Sequence, residues 1–229
     1  MPASTTAVAG VIRLVIGTVV FSTMLFLAAG TVAWPAAWAF LAIITAVMVV
    51  YGIIIVRMHP DLIEERHHPP AGAKKWDKPL VVIIGVIGPV ALLLLAGLDR
   101  RFHWSPPATA AAQIAGLVLV AAGGSLSNYA VAANRFFSAL VRIQHDRGHH
   151  VVDTGPYRYV RHPSYAGSMM YMIGMSVALS SRAALLAAIV ISLVLAVRTS
   201  LEDRTLQAEL AGYAQYARRV RFRLVPGLW

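Results

Sequence analysis

The chain has no cysteine and few charged residues. Of its 229 residues none is Cys, and Asp, Glu, Lys and Arg together make up 13%, against about 25% in ordinary soluble domains. The missing cysteine excludes disulfides, thiolate metal sites and cysteine nucleophiles. The scarcity of charge leaves long apolar runs, of which residues 14–56 contain no acidic or basic side chain. Since a helix crosses a bilayer with about 20 apolar residues, the composition indicates a polytopic membrane protein.

The predicted fold class is all-α, an integral membrane bundle of about six spans. The run 14–56 holds two spans, separated by a break at Trp34-Pro35-Ala36-Ala37-Trp38, and the uncharged runs 79–98 and 108–133 add a third and a fourth. Residues 164–198 would form one helix of about 50 Å, too long for a hydrocarbon core of about 30 Å. We therefore predict a helical hairpin with its turn at Ser180-Ser181-Arg182.

Basic residues outnumber acidic ones by 20 to 10, and their positions predict the orientation. In the six-span topology, 17 of the 20 Lys and Arg residues fall on one side, and only Arg100, Arg101 and Arg182 fall on the other. The positive-inside rule then places both termini in the cytoplasm. The expected partner is the lipid bilayer. We expect no nucleic-acid partner, because the basic residues are scattered over membrane-proximal loops and form no base-reading face.

The chain divides into two unequal parts. Residues 1–133 are mostly spans, whereas residues 134–229 hold most of the unusual chemistry and form the predicted catalytic part. The loop 57–78 contains His67-His68 close to two Glu residues. Its prolines break the helical spacing that a metal site would use, so we predict no metal ion.

A polar, aromatic segment at residues 155–167 leads directly into an apolar run. Pro163 suits the first position of a helix, which places Arg161 and His162 at a helix N-terminus where a carboxylate or phosphate is favoured. Tyr157, Tyr159 and Tyr165 offer ring faces for a base or a cation. The alternative is an interfacial anchor, because Tyr and Arg also gather at membrane surfaces without a catalytic role.

Arg198 and Glu202 lie four residues apart and share one helix face where the hairpin leaves the membrane. A simple surface pair is the alternative, although Arg before Glu is the weaker orientation for helix stability. Beyond them, an amphipathic pattern predicts a cytoplasmic C-terminal helix that covers the site. Its apolar and aromatic positions are Leu206, Leu210, Tyr213, Tyr216 and Val220.

Residues 144–167, 198–202 and 206–229 together resemble the superfamily of isoprenylcysteine carboxyl methyltransferases and phospholipid methyltransferases. The shared motif is Arg-His-Pro-x-Tyr-x-Gly, followed about 35 residues later by Arg-x-x-x-Glu. The C-terminal sequence looks like the bacterial branch, which implies a bacterial inner membrane. The resemblance implies an S-adenosylmethionine-dependent methyltransferase whose cofactor pocket is lined by Gln144, His149, Val151, Val152, Tyr157, His162, Pro163, Ser164, Tyr165 and Glu202.

In this interpretation Glu202 holds the ammonium or the ribose of S-adenosylmethionine, and Arg161 and the amides after Pro163 hold its carboxylate. Arg198 orients the methyl acceptor. The acceptor itself stays open among lipophilic or small membrane-accessible carboxylates, amines and thiols, as do the oligomeric state and the choice between His149 and His150 as the cofactor contact. One alternative is an NADPH-dependent ene reductase of isoprenoid or sterol type with the same architecture. The other is a membrane transporter or interaction protein.

Overall fold

A computed structural model describes residues 3–58 and 72–229, and each regular element within these ranges is helical. This confirms the all-α prediction. The helices are α1 (Ala3–Ala29), α2 (Pro35–Met58), α3 (Asp77–Phe102, with one π-helical turn at Ile83–Ile87), α4 (Ala110–Ala133), α5 (Pro163–Ala178), α6 (Arg182–Glu209) and α7 (Tyr213–Arg219). Two short 3-10 turns, His145–Arg147 and Gly155–Arg158, lie between α4 and α5.

Four of these helices are long and apolar enough to cross a membrane, judged by length and composition over the described residues. They are α2, α3, α4 and α6, and α1 adds an apolar stretch at Val15–Ala29. The chain is therefore an integral membrane protein. The count of six spans stays a prediction, because α5 has only 16 residues. The predicted loop histidines, His67-His68, lie outside the described residues.

The helix boundaries follow local signals in the sequence. Proline begins both α2 and α5, at Pro35 and Pro163, where its missing N–H leaves no hydrogen bond unmade. The hairpin turn lies where it was predicted, since α5 ends at Ala178 and the Ser181 hydroxyl caps α6 by accepting from the Ala184 amide at 3.0 Å. The break at residues 180–182 is thus confirmed. The break predicted at residues 34–38 lies further toward the N-terminus, at residues 30–34, because Pro35 is the first residue of α2 and the helix continues through Trp38.

Helices α4 and α5 pack backbone against backbone. A Cβ atom added at Gly123 would lie 2.5 Å from the Gly167 carbonyl oxygen, and one added at Gly167 would lie 2.5 Å from the Gly123 carbonyl oxygen. Small residues that permit such an approach are typical of contacts between membrane helices. The close fit fixes the position of the first turn of α5, which carries Ser164 and Tyr165.

The C-terminal segment lies against the loop that precedes α5. The amides of Arg161 and His162 donate to the carbonyls of Phe222 and Arg223 at 3.0 and 2.9 Å. The predicted C-terminal helix is present as α7, but it is short, because α6 continues to Glu209 and Gly212 then turns the chain at φ +82°. The predicted stripe is thereby shared between two helices, with Leu206 on α6 and the two tyrosines on α7.

Candidate active site

One cavity lies between the 134–152 loop, the start of α5, the end of α6 and helix α7. Its free volume is about 90 Å³, and part of it is open to solvent. Nine of the eleven residues predicted to bind cofactor line it. They are His149, Val151, Val152, Tyr157, Arg161, His162, Ser164, Tyr165 and Glu202.

Three of the predicted site residues do not line this cavity. Gln144 is fully buried and braces the loop, with its Nε2 donating to the Phe136 carbonyl and its Oε1 accepting from Arg147 Nη1 at 2.7 Å. Pro163 forms the first position of α5. The third, Arg198, is turned toward a partner on α3. The functional roles of all three stay predictions.

The partner of Arg198 is Asp77, the first residue of α3. Arg198 Nε and Nη2 donate to the two Asp77 carboxylate oxygens at 2.7 and 2.9 Å, and both residues are buried. Asp77 Oδ2 also accepts from the Val141 amide at 2.8 Å, while Arg198 Nη2 donates to the Ala139 carbonyl at 3.0 Å. This buried ion pair therefore ties α3 and α6 to the loop that walls the cavity.

Arg198 and Glu202 are both hydrogen-bonded to the hydroxyl of Tyr165. Arg198 Nη1 donates to the Tyr165 hydroxyl at 2.6 Å, and that hydroxyl in turn donates to Glu202 Oε2. A direct surface pair of Arg198 with Glu202, the alternative to a functional role, is not among the ion pairs of the described residues, where Arg198 pairs with Asp77. The Tyr165 ring stacks on the His162 ring with centroids 5.6 Å apart and planes 7° apart. Glu202 consequently places a carboxylate on the cavity wall beside two stacked rings.

Arg161 lines the cavity, but its guanidinium is largely occupied by other protein groups. Nε and Nη2 donate to the two Asp203 oxygens at 2.7 and 3.0 Å, and Nη1 donates to the carbonyls of Val220 and Arg221 at 2.7 and 2.8 Å. Burial opposes the charged form, yet the hydrogen bonds and charge of Asp203 raise the pKa of Arg161 above its ordinary value. This arrangement is better suited to holding the C-terminal segment in place than to binding a cofactor carboxylate, the role predicted for Arg161 from the sequence.

Two imidazoles flank one phenyl ring at the loop side of the cavity. The Phe136 centroid lies 4.7 Å from the His149 centroid and 4.7 Å from the His150 centroid, and all three residues line the cavity. Burial, and after it the charge of His150, lower the pKa of His149 to about 4. His149 is therefore a neutral imidazole near pH 7, and its Nδ1 accepts from the Gln144 amide at 3.3 Å.

The sequence interpretation missed the loop after α4 and two buried aspartates. Phe136 and Val141 line the cavity, although the loop carried no recognised motif. Asp203 accepts from Arg161, Arg223 and the Tyr213 hydroxyl, and Asp77 accepts from Arg198. The scarcity of acidic residues in an apolar chain was the available signal, since a buried carboxylate in such a chain requires a partner.

Known proteins are similar to this chain over the region that contains most of the cavity residues. The family model for phospholipid methyltransferases matches residues 111–211. Over these residues the chain is similar to the phospholipid methyltransferase family. The resemblance expected from the Arg-His-Pro motif is thereby confirmed.

Individual relatives agree with the family match. Protein-S-isoprenylcysteine O-methyltransferase B of Arabidopsis thaliana is 32% identical over 108 residues, which are 46% of this chain and 55% of that protein. The probable protein-S-isoprenylcysteine O-methyltransferase of Oryza sativa subsp. indica is 37% identical over 65 residues, 28% of this chain and 34% of that protein. The chain thus spans about half the length of the first relative and a third of the second.

A solved structure shares the fold. The structure of the eukaryotic intramembrane Ras methyltransferase, an isoprenylcysteine carboxyl methyltransferase, superposes with a TM-score of 0.57 at 20% identity, covering 86% of this chain and 70% of that one. The two chains therefore share a helical fold.

Proposed function

We propose that this protein is an integral membrane methyltransferase that uses S-adenosylmethionine. The observation that carries the proposal is the convergence of Tyr157, His162, Tyr165 and Glu202 on one cavity, from segments up to 45 residues apart in sequence. These side chains come from the loop before α5, from α5 itself and from α6, and they lie in the region that matches the family. The acceptor that we propose is a lipophilic or small membrane-accessible molecule.

The residues around the cavity fit the cofactor in charge and shape. Glu202 supplies a carboxylate for a cationic ligand, and the stacked rings of His162 and Tyr165 supply flat faces for a base or a sulfonium. The amides of Tyr165 and Ala166 already donate to the His162 carbonyl at 3.1 and 3.2 Å. We therefore propose side chains, rather than the N-terminus of α5, as the main contacts to the cofactor.

The protein's own part in the reaction is to align two molecules and keep water out. S-adenosylmethionine, when bound, supplies a methyl group on a good leaving group, so no covalent nucleophile from the protein is needed. Alignment of donor and acceptor and exclusion of water then provide most of the rate enhancement. Helix α7 closes one side of the cavity, where Tyr213 donates to Asp203 at 3.1 Å and Tyr216 donates to the Tyr157 carbonyl at 2.7 Å.

The cofactor assignment is tested by calorimetry on the purified full chain in detergent. S-adenosylmethionine should give saturable binding and NADPH should give none, because Glu202 lines the cavity and would repel the phosphates of NADPH. Glu202→Gln and His162→Ala should weaken S-adenosylmethionine binding at least about tenfold, since each leaves a polar partner unsatisfied. Tyr159→Phe is the control, because Tyr159 is 67% exposed and does not line the cavity. Saturable NADPH binding without a response to S-adenosylhomocysteine would favour the reductase alternative.

We also propose that the cavity opens toward the cytoplasm, on the basis of the positive-inside distribution of Lys and Arg. Reporter fusions placed after residues 70 and 229 should both report a cytoplasmic location. A signal from the opposite side at either position contradicts this orientation, and it leaves the cofactor assignment untouched.

A further inference from the structure

The C-terminal residues 221–229 are joined to the loop that precedes α5. The Arg161 amide donates to the Phe222 carbonyl at 3.0 Å. The next amide, that of His162, donates to the Arg223 carbonyl at 2.9 Å. Because α5 begins at the following residue, the C-terminal residues are held at the level of the helix start.

The start of α5 lies at the edge of the hydrocarbon core. The Ser164 and Ser127 hydroxyls are 3.1 Å apart, so the first turn of α5 is level with a residue six positions before Ala133, the last residue of α4. Helix α4 has 24 residues and is about 36 Å long, against a core of about 30 Å. Tyr129, two residues beyond Ser127, is 55% exposed, as is usual for tyrosine at a membrane interface.

The C-terminal residues expose apolar side chains at this level. Leu228 is 80% exposed, Val225 45% and Trp229 36%, all within five positions. The Arg223 guanidinium lies 5.1 Å from the centroid of the Trp229 ring and so restrains it. Apolar residues clustered in this way, with a restrained tryptophan, are typical of a segment that lies in the interface between headgroups and hydrocarbon.

Two exposed arginines accompany these apolar side chains. Arg221 belongs to the same segment, and Arg158 lies in the loop to which the segment is joined, next to the exposed ring of Tyr159. Within the ranges that the structure describes, neither guanidinium has an ion-pair partner, whereas Arg219 is paired with Asp153 at 2.8 Å. Unpaired basic residues at a membrane surface attract anionic lipid headgroups.

We propose that these residues form one C-terminal surface that binds the headgroups of anionic phospholipids. The surface consists of Arg158, Tyr159, Arg221, Val225, Leu228 and Trp229. Its apolar side chains enter the interface, and its two arginines contact the lipid phosphates. This interaction is separate from the proposed methyl transfer and requires no cofactor.

Binding of headgroups would also hold the cavity wall in place. The Arg221 carbonyl accepts from Arg161 Nη1 at 2.8 Å, and Arg223 Nε donates to Asp203 at 3.0 Å. The segment that contacts lipid on its exposed side therefore fixes Arg161, a residue of the cavity wall, on its buried side. Anionic lipid should consequently slow the local opening of the loop before α5.

The absence of cysteine allows one spin label to be attached at a chosen position. The full chain carrying Leu228→Cys and a nitroxide is placed in vesicles of phosphatidylcholine, or of equal parts phosphatidylcholine and phosphatidylglycerol. In the anionic vesicles the label should become more accessible to oxygen, which concentrates in the bilayer, and less accessible to a water-soluble nickel chelate. Both leaflets have the same composition, so the result does not depend on the orientation of the protein.

The matched control is Gln215→Cys with the same label. Gln215 and Arg218 are exposed on α7 and line a separate polar cleft, outside the C-terminal surface. The control label should therefore remain accessible to the nickel chelate in both kinds of vesicle. Leu228 and Gln215 are both exposed, so neither substitution disturbs the packed interior.

Hydrogen exchange of unlabelled protein measures the effect on the loop. The amides of Arg161 and His162 should exchange at least about fivefold more slowly in the anionic vesicles, the contribution expected from one basic residue near an anionic surface. Arg221→Gln should remove most of this difference, whereas Arg218→Gln, which removes the same charge from the polar cleft, should preserve it. Glycerol phosphate added to the phosphatidylcholine vesicles should not slow the exchange.

Equal access of the chelate to the two labels in anionic vesicles overturns the inference. So does exchange that is the same in both kinds of vesicle, or an effect of Arg218→Gln as large as that of Arg221→Gln. Slowing by glycerol phosphate would mean that the surface binds soluble phosphate, and it overturns the lipid assignment. These measurements contain no S-adenosylmethionine, so their failure leaves the proposed function intact.

Discussion

Arg198 and Glu202 lie one helical turn apart on α6, and the hydroxyl of Tyr165 joins them. This hydroxyl accepts from Arg198 Nη1 at 2.6 Å and donates to Glu202 Oε2. The two α6 side chains therefore depend on a residue of α5 for their orientation. Since α5 also forms the cavity wall, a change at Tyr165 alters both the wall and the carboxylate on it.

Tyr165→Phe should lower both stability and turnover. The variant keeps the ring that stacks on His162 but leaves Arg198 Nη1 and Glu202 Oε2 without their shared partner, which costs about 1–3 kcal/mol in a buried site. We expect a lower free energy of unfolding in mixed-micelle denaturation. Turnover per folded molecule should fall further than the affinity for S-adenosylmethionine.

Tyr159→Phe provides the comparison for this change. Tyr159 is exposed and lies outside the cavity lining, so its hydroxyl should contribute less than about 0.5 kcal/mol. Equal losses in the two variants would mean that the bridging hydroxyl has no special role.

The elements predicted well from the sequence are those specified by neighbouring residues. Pro163 and Ser181 mark helix starts, and both signals act within one helical turn. The pairing of Asp77 with Arg198 could not be predicted in this way. It joins residues 121 positions apart, and no local pattern states which of the basic residues meets a given aspartate. Sequence spacing instead suggested Glu202, the residue one turn away.

Asp203→Asn should release the C-terminal segment from the cavity. Asp203 is fully buried and accepts from Arg161 and Arg223 at 2.7 and 3.0 Å. Breaking a buried pair on one side leaves an uncompensated charge, which costs about 3–5 kcal/mol. The amides of Arg161 and His162, which bond to the C-terminal segment, should then exchange with deuterium at least about tenfold faster, as measured by mass spectrometry.

Asp153→Asn is the surface counterpart. Asp153 forms an ion pair with Arg219 at 2.8 Å, but both side chains are well exposed. The substitution should therefore lower the free energy of unfolding by only about 0–1 kcal/mol. Faster exchange at Arg161 and His162 in this variant, or unchanged exchange in Asp203→Asn, would contradict our conclusion that Asp203 holds the C-terminal segment against the loop before α5.

Gly123→Ala should separate α4 from α5. The added Cβ would lie 2.5 Å from the Gly167 carbonyl oxygen, so the helices must shift, which typically costs about 1–3 kcal/mol. The shift also displaces Ser164 and Tyr165 at the start of α5. We expect a lower unfolding midpoint together with weaker S-adenosylmethionine binding in calorimetry.

Gly52→Ala tests whether that effect comes from packing or from the loss of a flexible residue. Nothing lies within 4 Å of the Cβ position at Gly52 on α2, and alanine is the better helix former by about 1 kcal/mol. This variant should be unchanged or slightly more stable. Destabilisation of both glycine variants to the same extent would argue against the close contact between α4 and α5.

Because His149 is neutral in the folded protein, the free energy of unfolding should depend on pH between about pH 4 and pH 6.5. Burial lowers the pKa of His149 from 6.5 to about 4, so between these values the unfolded chain binds a proton that the folded protein does not. The contribution of His149 to the free energy of unfolding is therefore fully present above about pH 6.5, declines as the pH falls, and is lost by about pH 4. Protonation would also turn Nδ1 from an acceptor of the Gln144 amide into a donor. Unfolding midpoints measured through this window should fall less steeply for His149→Gln than for wild type. His103→Gln, at an exposed position outside the cavity lining, should keep the wild-type slope, and equal slopes in all three proteins would show that His149 is not the titrating group.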